Sequence, residues 1–197
     1  MIFETIITSV DLTGEPHIAP FGVRYEGDLV VIAPYKPSTT LDNILATKCA
    51  VMNLADDVRV FAAAVTNRKI GELVPIYTAS QANKPKGFRL AGCLAHAELE
   101  LVELRDDVIR PQLFMQKVAE FNHKPFAGFN RAQAAVIELA VLVSRLRILP
   151  KDKIMLEIEY LKIAMDKTAG EREKQAWGWL TEAIENFYAE QAGTNQA

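Results

Sequence analysis

Cysteine and histidine are scarce in this chain. Its 197 residues include two cysteines, Cys49 and Cys93, and three histidines, His17, His96 and His123. Neither cysteine has a partner in a C-x-x-C pair. This excludes a disulfide framework and favours two buried thiols in a reducing compartment. The three histidines show no spacing that is typical of metal ligands, so we expect no metal site.

Positive charge and long apolar runs are also lacking. There are 22 basic against 25 acidic residues, for a net charge of -3, which argues against a general nucleic-acid binder. The longest apolar run, at 134–143, is interrupted by Glu138 and is too short to cross a bilayer. The first five residues lack the basic segment of a signal peptide. We therefore expect a cytoplasmic protein that binds neither nucleic acid nor membranes.

Familiar catalytic motifs are missing as well. The sequence has no G-x-S-x-G elbow, no G-x-G-x-x-G fingerprint and no P-loop. Glu98 and Glu100 alternate along a predicted strand and so share a solvated face, which does not suit general acid–base chemistry. His123, next to Lys124, is more typical of a loop or structural residue. The sequence therefore assigns no catalytic residue.

Short apolar segments separated by turn residues fill much of the chain. Half of the residues are hydrophobic, which suffices for the core of one domain with an appendage. Such segments are typical of strands when they are β-branched or alternate with polar residues. They predict strands at 3–10, 17–25, 29–33, 49–54, 58–65 and 94–104, with a short strand within 72–78. This pattern favours a small β-barrel over a sandwich.

Helical spacing of apolar residues marks a second group of segments. It predicts helices at 38–48, 111–121, 130–143, 151–166 and 171–190. The helix at 130–143 can be capped by Asn130 and is apolar nearly all round, which predicts burial against the barrel or a second subunit. We therefore divide the chain into a barrel domain at 1–127 and a helical C-terminal region at 128–197.

The junction between a strand and the first helix is the best candidate site. Pro34 and Pro37 end the apolar strand, and Ser38 or Thr39 can cap the helix that follows. Free backbone N–H groups, neighbouring hydroxyls and Lys36 together suit an anion the size of a phosphate monoester. The alternative is an ordinary helix cap that binds nothing. Asp42 favours that alternative, because its carboxylate could satisfy the helix dipole.

Two further positions stand out within predicted strands. Pro20 and Gly22 flank Phe21, which predicts either a bulge where a flat ligand lies against the backbone or a plain strand bend. Asn53 is the one polar residue of an apolar strand, so its amide needs a partner. That partner can be the backbone or the ring edge of a ligand.

Several motifs resemble those of a family catalogued as a domain of unknown function. They occur in order at 19–24, 36–43, 53–57, 130–132 and 170–174. The family belongs to the flavin-binding split-barrel superfamily, which includes flavin reductases and pyridoxamine-phosphate oxidases. The resemblance implies a mainly β fold with α-helices: a six-stranded split β-barrel followed by a helical C-terminal extension. It also implies a homodimer that binds FMN at the subunit interface.

The resemblance also assigns roles to individual residues. The segment at 36–43 would hold the FMN phosphate, the strand at 21–24 would lie along the isoalloxazine, and Asn53 with the Met52 backbone would bind its polar edge. The implied cofactor-binding residues are Phe21, Gly22, Val23, Arg24, Lys36, Ser38, Thr39, Thr40, Asn43, Met52 and Asn53. Asn130 and Arg131 match the family too, but equally suit a helix cap and an ion pair.

Two functions are compatible with these expectations. One is an FMN-dependent oxidoreductase that acts on an unidentified small molecule, with hydride passing directly between a nicotinamide and the flavin. The other is a non-catalytic module that holds FMN or another phosphorylated ligand and is linked to pterin-dependent one-carbon metabolism.

Overall fold

The computed structural model describes residues 1–69, 71–77 and 86–194. The strands are β1 (Phe3–Val10), β2 (Pro16–Glu26), β3 (Leu29–Ile32), β4 (Cys49–Leu54), β5 (Leu73–Ile76), β6 (Gly87–Leu90), β7 (Ala95–Arg105) and β8 (Gln112–Asn122). The helices are α1 (Thr39–Thr47), α2 (Arg59–Val65), α3 (Arg131–Ser144), α4 (Lys151–Thr168) and α5 (Glu171–Thr194). Within the described part of the chain, no helix has both the length and the apolar character needed to cross a membrane.

Six strands form a closed antiparallel barrel in the order β1-β2-β3-β8-β7-β4. Alternate residues point inward, so that Ile7, Val23, Met52, Leu99 and Met115 belong to one buried core. Closure pairs every barrel strand on both sides over at least part of its length. The six-stranded barrel expected from the sequence is confirmed.

Helix α1 contributes to the same core. Leu41 and Ile44 are buried with the inward-facing barrel residues, because their spacing of three places them on one face of the helix. The helix contacts β1, β2 and β4. This packing fixes the N-terminal end of α1 relative to the barrel.

Strands β5 and β6 form a separate two-stranded sheet. The sheet packs on β1 and β4 through β6, where the Thr8 hydroxyl donates to the Phe88 carbonyl. The predicted short strand within 72–78 corresponds to β5, although residue 78 lies outside the described residues.

Two sequence-based assignments were wrong. Residues 58–65, predicted as a strand, contain the helix α2, whose alanine-rich segment favours a helix that buries Val60 and Phe61. Residues 111–121, predicted as a helix, belong to β8, which pairs with β3 and β7. The helical spacing of Phe114, Val118 and Phe121 was coincidental, since tertiary strand pairing overrides local pattern.

The chain divides into two compact units. One consists of residues 1–56 and 71–126, and contains the barrel. The other consists of 57–70 and 127–197, so that α2 packs on α3 and α5 instead of extending the β-structure. Helix α3 also contacts α4 and α5. Its apolar surface is therefore buried as predicted, but by neighbouring helices, whereas the sequence analysis expected the barrel or a second subunit. Asn130 caps α3, as predicted, by accepting hydrogen bonds from the N–H groups of Ala132 and Gln133.

Candidate functional site

The start of α1 has the geometry expected of a capped helix. Ser38 is the N-cap residue, with extended backbone angles, and its Oγ accepts a 3.2 Å hydrogen bond from the N–H of Leu41. Asp42 is exposed and lies in the first turn. The cap hydroxyl therefore satisfies one of the free N–H groups and leaves others at the same end of the helix for a ligand.

Thr40 is the most informative residue at this helix end. Its side chain is only 1% exposed, and its Oγ1 has no hydrogen-bond partner among the described residues. Leaving a buried hydroxyl without a partner costs about 1–3 kcal/mol. An unpaired donor at a helix N-terminus fits a phosphate oxygen as its missing acceptor, so the local chemistry is compatible with the anion site predicted from the sequence.

Lys36 lies just before this helix and is exposed. Its Nζ is 2.9 Å from Asp106 Oδ1, and its backbone N–H donates to the Ile109 carbonyl at 2.9 Å. The hydrogen bond from Lys36 lowers the pKa of the Asp106 carboxyl below its ordinary value. Because the ion pair is exposed to solvent, Nζ can exchange Asp106 for an arriving phosphate.

A cation-rich cavity of about 120 Å³ opens beside the end of β3. Arg24 donates to Gln112 Oε1 at 2.6 Å, while Arg110 donates to the Ala33 carbonyl at 3.1 Å and covers the Tyr35 ring. The cavity is lined by Ile2, Gly22, Arg24, Val31, Ala33, Arg110 and Gln112. Small-molecule sites usually enclose about 300–1,000 Å³, so this cavity provides only part of such a site.

Gly22 and Phe21 occupy the strand expected to carry a flat ligand. A Cβ at Gly22 would lie 2.8 Å from Ile2 Cγ2 and 3.3 Å from Glu4 Oε1. Both atoms belong to exposed side chains, which can move, so this spacing does not by itself require glycine. Phe21 is partly buried against the barrel core. Pro20, Phe21 and Gly22 pair with β1 without a shift in register, so the predicted bulge is absent from this segment, and its contact with a flat ligand stays a prediction.

Four other predicted residues direct their side chains elsewhere. Val23 and Met52 belong to the barrel core, and Asn43 donates to Ser9 Oγ at 3.1 Å. Asn53 is fully buried. Its Nδ2 donates to the Ile6 carbonyl at 3.2 Å, and its Oδ1 accepts from the Leu90 N–H at 2.8 Å. The roles of these residues toward a flavin stay predictions, and for Asn53 the expected partner of the amide is supplied by the barrel unit itself.

Sequence reasoning missed one cluster of functional groups. Cys93, His96 and His123 lie together, with one potential ligand atom from each within 4.8 Å of the others. The signal in the sequence was the two-residue spacing between Cys93 and His96. Burial, the nearby His123 and the charge of Arg89 lower the pKa of His96 to about 4, so this imidazole is neutral at physiological pH.

Comparisons with known proteins fit this architecture. The family described as "Protein of unknown function (DUF447) N-terminal domain" matches residues 3–124, and "Protein of unknown function (DUF447)" matches residues 130–182. No curated protein sequence matches the chain.

Solved structures share the fold at low sequence identity. An FMN-bound DUF447 protein from Methanosarcina mazei superposes with a TM-score of 0.77 at 23% identity, covering 92% of this chain and 94% of that one. The 2-nitrobenzoate 2-nitroreductase of Pseudomonas fluorescens gives a TM-score of 0.51 at 22% identity, with coverage of 61% and 64%. A flavoredoxin from Methanosarcina acetivorans gives 0.50 at 12% identity, with coverage of 64% and 74%.

These likenesses support the split-barrel fold, and the two family matches together span most of the chain. On that evidence, the protein belongs to the DUF447 family.

Proposed function

We propose that this protein binds FMN and acts as a flavin-dependent oxidoreductase on a small molecule. The observation that carries the proposal is the buried hydroxyl of Thr40 at the N-terminus of α1, which has no hydrogen-bond partner within the described ranges of the chain. It supplies a donor where the family resemblance expects the FMN phosphate. The FMN-bound family member from Methanosarcina mazei supports the same cofactor.

The residues around the α1 N-terminus would hold the phosphate. Ser38, Thr39 and Thr40 contribute hydroxyl and backbone groups, and Lys36 contributes a mobile positive charge. Arg24 lines the cavity beside β3 and adds positive charge there. When bound, the flavin supplies the redox chemistry, while these side chains bind and orient it.

We also propose that the site is completed by a second copy of the chain. The cavity beside β3 is too small for FMN alone. Large apolar side chains are exposed nearby: Ile2 lines the cavity, and Phe3 contacts Tyr25 with ring centroids 5.7 Å apart. Exposed apolar groups around an incomplete site fit a subunit interface.

One observation limits the chemistry that this cavity can support. Arg24 and Arg110 are the titratable side chains among the residues that line the described cavity. Arginine holds its proton at all working pH values and so does not serve as a general acid or base there. Hydride transfer to a flavin needs no such group, whereas many other reactions do.

Flavin titration tests the proposal. We expect wild-type protein to quench FMN fluorescence on binding and to sediment as a dimer. Lys36→Ala combined with Thr39→Ala should weaken FMN binding by about 100-fold, because two phosphate contacts are lost at about 1.4 kcal/mol each. Lys153→Ala removes an exposed α4 lysine that pairs with Glu157 and serves as the control with unchanged affinity.

The same preparation separates the two functions. Anaerobic addition of NADH or NADPH should bleach the bound flavin if the protein is an oxidoreductase. Bound flavin that no nicotinamide or reduced pterin bleaches would support the binding module. A wild-type protein that does not bind FMN, or a double variant that binds it equally well, would refute the assigned phosphate site.

A further inference from the structure

Three potential metal-binding residues converge where the β6–β7 turn meets the end of β8. Cys93 lies in the turn, His96 is the second residue of β7, and His123 directly follows β8. Since β7 and β8 are antiparallel, the start of one strand meets the end of the other, with His96 opposite Phe121. His96 and His123 are thus 27 positions apart along the sequence but adjacent in the fold.

The three side chains are spaced almost as ligands of one ion. His96 Nδ1 and His123 Nε2 are 2.8 Å apart, and one ring nitrogen of each histidine lies within 4.8 Å of Cys93 Sγ. In a tetrahedral zinc site with ordinary bond lengths, two nitrogens are about 3.3 Å apart and a sulfur and a nitrogen about 3.6 Å apart. Shifts of about an ångström or less in the side chains would therefore admit the ion.

The backbone and a neighbouring ring hold this geometry. The Leu94 carbonyl accepts hydrogen bonds from the N–H groups of His123 and Lys124, at 2.7 and 3.1 Å. The ring of Phe121 stacks on that of His96, with centroids 5.0 Å apart and planes 15° apart. The ligands are consequently positioned before any ion arrives, which lowers the entropy cost of binding.

Burial differs among the three residues in a way that suits a metal site with one open position. Cys93 is fully buried, His96 is 5% exposed and His123 is exposed. An ion bound between them would face the barrel unit on the side of Cys93 and solvent on the side of His123. Solvent access at one side leaves the fourth position to water.

We propose that Cys93 Sγ, His96 Nδ1 and His123 Nε2 bind a zinc ion, with water as the fourth ligand. A thiolate with two imidazoles suits a borderline-soft ion such as Zn²⁺ better than Mg²⁺ or Ca²⁺, which prefer oxygen. Binding releases the thiol proton of Cys93 to solvent. One of the two imidazoles carries the proton of the hydrogen bond between them. On metal binding, that ring loses this proton to solvent and takes up a proton at its other nitrogen, which faces away from the ion.

Two nearby cationic side chains have opposite effects on the affinity for Zn²⁺. Lys124 Nζ donates to the Gly92 carbonyl at 3.4 Å, and Arg89 donates to the Leu90 carbonyl at 3.2 Å. Their positive charges repel Zn²⁺ but also stabilise the thiolate that binds it. The ion would join the β6–β7 turn to the end of β8, so metal binding should raise the stability of the barrel unit.

Metal analysis of the full-length protein tests this proposal independently of FMN. After dialysis against a zinc buffer and removal of free ion, we expect about one Zn²⁺ per chain by elemental analysis and a raised Tm. Co²⁺ in place of Zn²⁺ should produce a thiolate-to-cobalt charge-transfer band. Removing one ligand, by Cys93→Ser or His123→Gln, should lower the affinity at least about 100-fold.

The chain provides matched controls for both substitutions. Cys49→Ser and His17→Gln alter the remaining cysteine and histidine outside the cluster, and each should keep the wild-type zinc affinity. His123 is exposed, so His123→Gln tests the site even if Cys93→Ser does not fold. Wild-type protein that retains no zinc, or a His123→Gln variant that retains it as tightly as His17→Gln does, would overturn the proposal.

Discussion

Replacing Thr40 by valine should stabilise the FMN-free protein while weakening FMN binding. Valine has nearly the shape of threonine and a similar helix propensity, so the packing around α1 is kept. The substitution removes a buried hydroxyl that has no partner among the described residues. Since such a group costs about 1–3 kcal/mol, we expect the free energy of unfolding to rise by about 1 kcal/mol.

The same hydroxyl is assigned as a donor to the FMN phosphate. A hydrogen bond to a charged acceptor contributes about 1.5–3 kcal/mol. Its loss should therefore raise the Kd for FMN by about 10- to 100-fold, at 1.4 kcal/mol for each factor of ten. Stability is measured by urea unfolding of the flavin-free protein and affinity by titration of flavin fluorescence.

Thr47→Val provides a matched control on the same helix. The Thr47 hydroxyl already donates to the Asn43 carbonyl at 2.8 Å, so this variant should lose about 0.5–1.5 kcal/mol of stability and bind FMN normally. A Thr40→Val protein that is less stable than wild type would show that the hydroxyl has a partner in the folded chain. Unchanged FMN affinity would remove Thr40 from the phosphate site.

Three further predictions concern hydrogen bonds and an ion pair that lie within one or the other unit. Asn53→Ala leaves the buried Leu90 N–H unpaired and should lower the unfolding free energy by about 2–3 kcal/mol in urea titrations. Asn130→Ala removes the α3 cap and should cost about 1 kcal/mol by the same assay. Burial raises the pKa of the Asp57 carboxyl, but hydrogen bonds and charge from Arg59 outweigh it, so the pKa is lowered overall. The ion pair's contribution to stability is present above the ordinary carboxyl pKa and is lost as pH falls through the lowered value. Asp57→Asn should therefore flatten the decline in unfolding free energy below about pH 4. Equal declines in the variant and the wild type would contradict this.

Local sequence patterns predicted secondary structure correctly where the tertiary contacts of a segment agreed with its intrinsic preference for strand or helix. The strands from β1 to β4 alternate or are β-branched, and their side chains face either the barrel core or the opposite surface as the period of two requires. The cap at Ser38 and the cap at Asn130 follow from short-range hydrogen bonds. Such features depend on a few consecutive residues, so the sequence can predict them.

Long-range contacts decided the features that were mispredicted. The residues of β8 have helical spacing, but their hydrogen bonds go to β3 and β7. The amide of Asn53 was expected to seek a partner, yet only the fold could select the Ile6 carbonyl and the Leu90 N–H. The strand partners of β8 lie 7 to 87 positions away, and the partners of Asn53 lie 47 and 37 positions away, so most of these contacts fall outside any local window.

The sequence by itself determined most strands of the barrel, the helices of the extension and a hydroxyl-rich helix start, because each rests on periodicity or capping within one segment. Only the tertiary structure decided that the Thr40 hydroxyl is buried with no partner in the described part of the chain and that Cys93 and His96 lie beside His123. Burial and proximity are properties of the folded chain: strand pairing brings distant residues together, and water is excluded only once they have packed.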